Sequence, residues 1–230
     1  MPRKPRFYQA DIPAHVIQRG HNKAPIFFCD HDYLEYLRCL KSSADDSGCF
    51  IHSYVLMTNH VHLLVTPLSI DSIGRLFQGL GRQYVRYINN TYNRSGSLWE
   101  GRHKGHIIDS DAYVLTCMRY IEMNPVRAHM VDSPADYRWS SYAANAWGIE
   151  NAIIQPHGQY LGLSKYSGKR LTYYRSLFDS DLSVDELELI QHSVQSGTPL
   201  GNARFRRHIE SVLGRSVGQM KRGRPPKRMA

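Results

Sequence analysis

No apolar run in the 230 residues approaches the roughly 18 that a membrane-spanning helix needs. The opening Met1-Pro2-Arg3-Lys4-Pro5-Arg6 leads into no apolar signal segment, so the expectation is a soluble, cytoplasmic protein. Cysteine is scarce: Cys29, Cys39, Cys49 and Cys117 form no Cys-x-x-Cys pair, which argues against a zinc knuckle and, in a reducing compartment, against disulfides. They read as reduced, partly buried small hydrophobes. The sequence also lacks an internal repeat, a long low-complexity stretch and a helicase-like phosphate loop. Acidic residues are missing from one end only. Residues 201–230 hold a single Asp or Glu against nine Lys and Arg, while residues 1–150 carry 14 against 16 and residues 151–200 five against four. Most of the net charge of +9 therefore sits in the last thirty residues. A cationic tail on a nearly neutral body points to a polyanion, and to nucleic acid over membrane, because no amphipathic anchor accompanies it.

Periodicity outlines the body. His15 to Arg19 reads as a first strand, stopped by Gly20. Asp30 can cap a helix with Tyr33, Leu34, Leu37 and Leu40 at helical spacing and Gly48 near its end. From Phe50 to Thr66 the period changes to two, and Thr58-Asn59 separates two apolar runs, predicting a hairpin. Ser69 or Asp71 can open a helix whose apolar face is Ile73, Leu76, Phe77, Leu80 and Tyr84, with Arg75, Arg82 and Arg86 together on another. Gly79 and Gly81 each lower that helix's intrinsic stability by about 1 kcal/mol relative to alanine. Leu98 to Ile108, with Trp99, Arg102 and Lys104, reads as a strand. Ser110 and Asp111 then open a helix that Pro125 ends.

After Tyr142 the pattern loosens. Residues 1–150 read as the main domain, 151–180 as an irregular connection, 181–214 as a small helical appendage and 215–230 as a basic tail too charged and proline-rich to fold alone. In the appendage Ser183 can cap Val184 to Val194 and Asn202 can cap Phe205 to Leu213. Arg222-Gly223-Arg224-Pro225 is the core of a minor-groove binding hook, in which glycine permits close approach to DNA; a generic phosphate-binding tail explains it as well.

The chemistry gathers in two places. His60 and His62 start the second hairpin strand and, by alternation, point the same way, so both imidazoles can reach one cation. In a chain with twelve histidines a His-x-His pair alone means little. On the helix from Ser110, Tyr113, Tyr120 and Asn124 share one stripe, with Asn124 one turn beyond Tyr120. A tyrosine hydroxyl can attack phosphorus and hold the phosphate as an ester. Two imidazoles and a carboxamide oxygen, with positions left open, suit Mg²⁺ or Mn²⁺ better than a closed zinc site. The alternatives are a core tyrosine, Tyr113 as rival nucleophile, and Asn124 as a C-terminal helix cap. His103 and His106 are possible proton carriers that the sequence does not place.

Tyr54-Val55-Leu56-Met57-Thr58-Asn59-His60-Val61-His62-Leu63-Leu64-Val65 and Arg119-Tyr120-Ile121-Glu122-Met123-Asn124-Pro125-Val126-Arg127-Ala128 resemble the signatures of the single-tyrosine HUH transposases, and within them the REP-associated tyrosine transposases. The resemblance covers residues 12 to about 145. It implies an α+β fold of ferredoxin-like kind, a central antiparallel sheet with packed helices. It implies Tyr120 as nucleophile, His60, His62 and Asn124 as ligands of Mg²⁺ or Mn²⁺, and cleavage of single-stranded DNA beside REP hairpins through a 5′-phosphotyrosine, by a monomer or homodimer. Thr58 departs from the family's proline, which alters the turn and not the chemistry. Candidate DNA contacts are Arg19, Arg75, Arg82, Arg86, Arg102, Lys104, Arg222 and Arg224. The competing readings are a non-cutting DNA-binding regulator with the same fold and a rolling-circle initiator or relaxase, the latter disfavoured by the missing phosphate loop.

Overall fold

The computed structural model describes residues 7–214, 216 and 217. Arg222, Arg224 and the expected hook lie outside the described residues. Strand β1 (Ala14–Arg19) is followed by helix α1 (Asp30–Ser47), the hairpin β2 (Cys49–Met57) and β3 (His60–Pro67), helix α2 (Ser72–Thr91), strand β4 (Lys104–Ile107) and helix α3 (Ser110–Glu122). The pairings among these four strands are antiparallel and their order is β2-β3-β1-β4. Two interlocked split β-α-β units give this order, the ferredoxin-like arrangement expected from the resemblance.

Local chemistry explains most boundaries. Helix α1 begins where the Asp32 carboxylate accepts from the backbone N–H groups of Phe28 (2.7 Å) and Cys29 (3.1 Å). Asp30, the expected cap, instead pairs with Arg138 at the surface. The helix stops at Gly48, whose φ of 66° is the left-handed conformation that satisfies the last carbonyls. Helix α2 runs unbroken through Gly79, where an added Cβ would press on Ser43 Oγ of α1 at 3.2 Å; the glycine lets the two helices approach. The expected strand from Leu98 is shorter than its pattern. Trp99 pairs with Gly20 and Glu100 N–H bonds Arg19 O, but the chain leaves the sheet over residues 101–103 and rejoins it at Lys104.

The register assigns each face. Val16, Val61, Leu63 and Val65 share one face, all fully buried, against α1 and α2. His15, Ile17 and Arg19 of β1, His60 and His62 of β3, and Lys104 and His106 of β4 share the other, where α3 packs. One sheet thus separates an apolar layer from a histidine-bearing one.

Residues 151–180 are more ordered than their composition suggests. After α4 (Asn124–Arg127) and α5 (Tyr142–Trp147) they hold α6 (Gly158–Gly162) and α7 (Ser167–Ser176), anchored by buried tyrosines. Tyr160 donates to Asn145 O (2.8 Å) and Tyr174 to Glu122 Oε2 (2.7 Å). The scattered glycines concealed this, since the anchors are polar-tipped rings with no clean apolar period. Ser183 caps α8 (Val184–Ser196) in a reciprocal box with Glu186, and Asn202 caps α9 (Ala203–Leu213). Between them Leu200 pairs with the end of β4, its N–H to Ile107 O at 2.9 Å and its carbonyl accepting from Asp109 N–H at 2.8 Å. All four cysteines are free, three of them buried and Cys29 exposed. Among the described residues no helix is long and apolar enough to cross a membrane.

Candidate active site

Antiparallel pairing sets Arg19 opposite His60 and Ile17 opposite His62. The His60 and His62 rings lie 5.1 Å apart, as the alternation predicted. Each imidazole is held through Nδ1. His60 Nδ1 is 2.6 Å from Asn59 Oδ1, and His62 Nδ1 is 2.8 Å from His15 Nε2. With Nδ1 engaged, neither Nε2 makes a hydrogen bond to a described residue. Burial, reinforced by the Arg19 charge, pushes His60 down to about 4, and burial lowers His62 as well, with His60, Arg127 and Arg19 adding to it. Both rings are neutral at physiological pH, the form that ligates metal.

This donor set fits a divalent cation. Oriented Nδ1 atoms and uncommitted Nε2 atoms are the arrangement that second-shell partners impose on ligating histidines. Among the described residues no group of three or more His, Cys, Asp and Glu is placed to hold a metal ion, so a further protein ligand would have to be another donor type.

Tyr120 reaches the pair from α3. Its ring stands edge-on to His62 (6.1 Å) and His15 (5.8 Å), and only 8% of the residue is exposed. The Arg127 guanidinium lies 4.3 Å above the ring and also donates to Tyr120 O. Burial raises the Tyr120 pKa while the Arg127 charge pulls it down, and burial lowers that of Arg127 itself. Tyr113 is only partly buried against the core and makes no ring contact with the histidines.

Asn124 spends one end of its carboxamide on a helix cap. Its Nδ2 donates to the carbonyls of Tyr120 (2.9 Å) and Ile121 (3.2 Å), so it caps α3, and no hydrogen bond joins it to His60 or His62. Pro125 ends α3 as predicted but starts the short helix α4, whose first turn has no need of its missing N–H. Using Nδ2 for the cap leaves Oδ1 as the oxygen available to a ligand.

The candidate cations divide by face. Arg19 and Lys104 are exposed on the histidine face, and Arg102 is exposed just before β4. Arg75, Arg82 and Arg86 belong to α2, on the opposite side of the sheet. Arg75 is occupied there, donating to Ser47 O (3.1 Å) and Ser69 Oγ (3.4 Å), whereas Arg82 and Arg86 are exposed. His103 stacks on Phe77 of α2 at 4.3 Å, away from Tyr120. His106 stands 5.2 Å from His15, buried, and burial depresses it to about 3.

Sequence reasoning missed three residues here: His15 and Arg127, which touch Tyr120, and Glu122, which fixes its helix. The buried Glu122 carboxylate accepts from Ser141 (2.6 Å), Tyr174 (2.7 Å), Asn145 (2.8 Å) and Ser53 (3.2 Å), and burial raises its pKa. It ties α3 to β2, α5 and α7.

The sequence profile of the family described as "Transposase IS200 like" matches residues 8–124, about half of the chain and all of the sheet. The chain belongs to the IS200-like transposases. These are enzymes that act on DNA, and the matched segment ends on Asn124. Among solved structures, a REP-associated tyrosine transposase bound to a REP hairpin is 16% identical, covering 73% of this chain and 96% of that one with a TM-score of 0.56, a likeness of fold. A candidate transposase from Deinococcus radiodurans R1 is 20% identical over 53% of this chain and 96% of that one, with a TM-score of 0.37. No protein of curated function matches the sequence.

Proposed function

We propose that this transposase nicks and rejoins single-stranded DNA beside REP-type hairpins, with Tyr120 as nucleophile. The observation that carries the reading is the seating of Tyr120 edge-on against His62, one of two neutral imidazoles with uncommitted Nε2 atoms. The Tyr120 oxygen attacks phosphorus, the bond to the 3′ oxygen breaks, and the tyrosine proton is balanced by the one that the departing 3′-OH gains. The products are a 5′-phosphotyrosine and a free 3′-OH, and attack by a 3′-OH reverses the step with the bond energy retained. His60 and His62, with Asn124 Oδ1 as the third donor, would hold Mg²⁺ or Mn²⁺, whose charge would polarise the phosphate and offset charge on its oxygens. Arg19, Arg102 and Lys104 contact the strand near the site, and Arg222 and Arg224 add sequence-independent affinity. Burial raises the Tyr120 pKa, and the Arg127 charge over the ring offsets part of that rise.

The test is a labelled hairpin oligonucleotide incubated with Mg²⁺ or Mn²⁺ and run on a denaturing gel. A covalent protein–DNA band is expected, absent in Tyr120→Phe and retained in Tyr113→Phe. Loss of the band in Tyr113→Phe alone would reassign the nucleophile. Tight binding with no band under either metal would favour the non-cutting regulator.

A further inference from the structure

His15 lies outside both sequence signatures, yet it is the side chain that touches both halves of the site. Its Nε2 is 2.8 Å from His62 Nδ1, with the rings stacked 5.1 Å apart at 22°. Its ring lies 5.8 Å from that of Tyr120, at 70° to it. The residue is fully buried, and its own Nδ1 has no hydrogen-bond partner among the described residues.

A neutral imidazole carries one N–H, so a bond at one nitrogen decides what the other can do. If His62 Nδ1–H donates to His15 Nε2, the lone pair of His62 is at Nε2 and its ring plane is fixed. If the proton sits the other way round, His62 Nε2 carries hydrogen and cannot ligate. The ligating arrangement puts the N–H of His15 on Nδ1, buried and unpaired, which is costly to leave unmet. An apolar ring at position 15 would avoid that cost. The placement of His15 is therefore not accounted for by stability, and buried polar atoms left without partners occur at functional sites.

We propose that His15 is a positioning residue: it accepts the Nδ1–H of His62, directs His62 Nε2 towards the cation, and sets the Tyr120 ring against the same imidazole. This rests on the metal-dependent reading of the site, and the experiment separates the two. The probe is Mn²⁺ alone, with the full chain and no DNA, followed by the loss of the free-ion paramagnetic resonance signal. His62→Ala is the control for uptake at this site. His15→Phe is expected to bind Mn²⁺ about 10- to 100-fold more weakly, the usual effect of losing a partner behind a metal ligand. Its melting temperature should be equal to or above that of the unsubstituted chain. His15→Gln, whose amide oxygen can accept near the place of Nε2, should recover most of the affinity. Nitrogen-15 imidazole spectra without metal give a second readout: His62 should be protonated at Nδ1 in the unsubstituted chain and in His15→Gln, and lose that preference in His15→Phe.

Equal Mn²⁺ affinity in His15→Phe, or equal weakening in both variants with matching losses of melting temperature, would overturn the proposal in favour of plain packing. A His62 found protonated at Nε2 in the unsubstituted chain would overturn it too. Failure of the unsubstituted chain to take up Mn²⁺ at the His62 site would sink the metal reading itself, and this inference with it.

Discussion

The two faces of the sheet are made from the same four strands and serve different ends. On the face under α1 and α2, Val16, Val61, Leu63 and Val65 meet apolar and aromatic neighbours, each buried side chain worth about 1.5–3 kcal/mol. On the face under α3, His15, His62 and His106 are nearly as buried and His60 is half-buried, but His15 Nδ1 and both nitrogens of His106 find no partner among the described residues. Burying an imidazole gains less and leaves polar atoms to be satisfied. The apolar face holds the fold together, while the histidine face sets imidazole nitrogens beside Tyr120.

The largest effect should come from the apolar face. Leu63→Ala is expected to cost about 3–4 kcal/mol in urea unfolding while the chain, where folded, still forms the covalent band. His62→Ala, which leaves His15 Nε2 unpartnered, should cost about 1–2 kcal/mol and abolish the band. Equal stability losses from the two would erase the distinction between the faces.

Glu122 sharpens the comparison, being a polar group beside the histidine face whose role is structural. Glu122→Ala strips an acceptor from four buried donors and should cost about 2–3 kcal/mol, with Glu122→Gln recovering part of it. A melting curve for Glu122→Ala that matches the parent would remove it as the brace of α3.

Acid should also tell the faces apart. Burial lowers His52 and His60 to about 4 and His106 to about 3 from an ordinary value of 6.5. Above pH 6.5 folded and unfolded chains bind the same protons at these groups. As pH falls from 6.5 towards 4 the unfolded chain gains protons that the buried rings refuse, so stability is lost in that window and is fully present above it. His52, held between Gln155 O (2.6 Å) and Thr66 Oγ1 (2.8 Å), is the cleanest test because it stands apart from the proposed metal ligands. In His52→Gln the fall of melting temperature between pH 6.5 and 4 should be shallower. An unchanged slope would contradict the depressed value.

The smallest effects belong to surface arginines. Arg82→Gln and Arg86→Gln, behind the sheet, should shift stability by less than about 0.5 kcal/mol. Arg19→Gln and Lys104→Gln, on the histidine face, should each reduce the salt dependence of DNA binding by about one unit of slope. A larger drop from the α2 pair would mean that DNA crosses the other face.

Much of this was readable in the chain. The hairpin at Thr58-Asn59, the Gly48 terminator, the helix from Ser110 and the caps at Ser183 and Asn202 are local hydrogen-bonding and periodicity, carried within about ten residues. The two signatures together imply Tyr120 near the histidine pair, and its ring lies 6.1 Å from that of His62. Ligand and cap both need a carboxamide one turn past Tyr120, so the spacing of Asn124 does not choose between them; its Nδ2 serves the cap. Arg75 shares a helical stripe with Arg82 and Arg86, yet the nearby end of α1 takes its guanidinium. The tyrosine-anchored helices of residues 151–180 gave no periodic signal, because hydroxyl bonds to Glu122 and Asn145 do not follow a repeat.

By itself the sequence determined the elements that carry the histidines and Tyr120, the facing of His60 and His62, and the turn separating Tyr120 from Asn124. Tertiary structure decided that His15 of β1 stands behind His62, that Arg127 lies over Tyr120, and that Glu122 anchors their helix. Alternation within a strand is a property of its own backbone. Register between β1 and β3, 47 residues apart at His15 and His62, is settled only when both faces are buried at once, and a slip of one residue would turn every histidine to the wrong side.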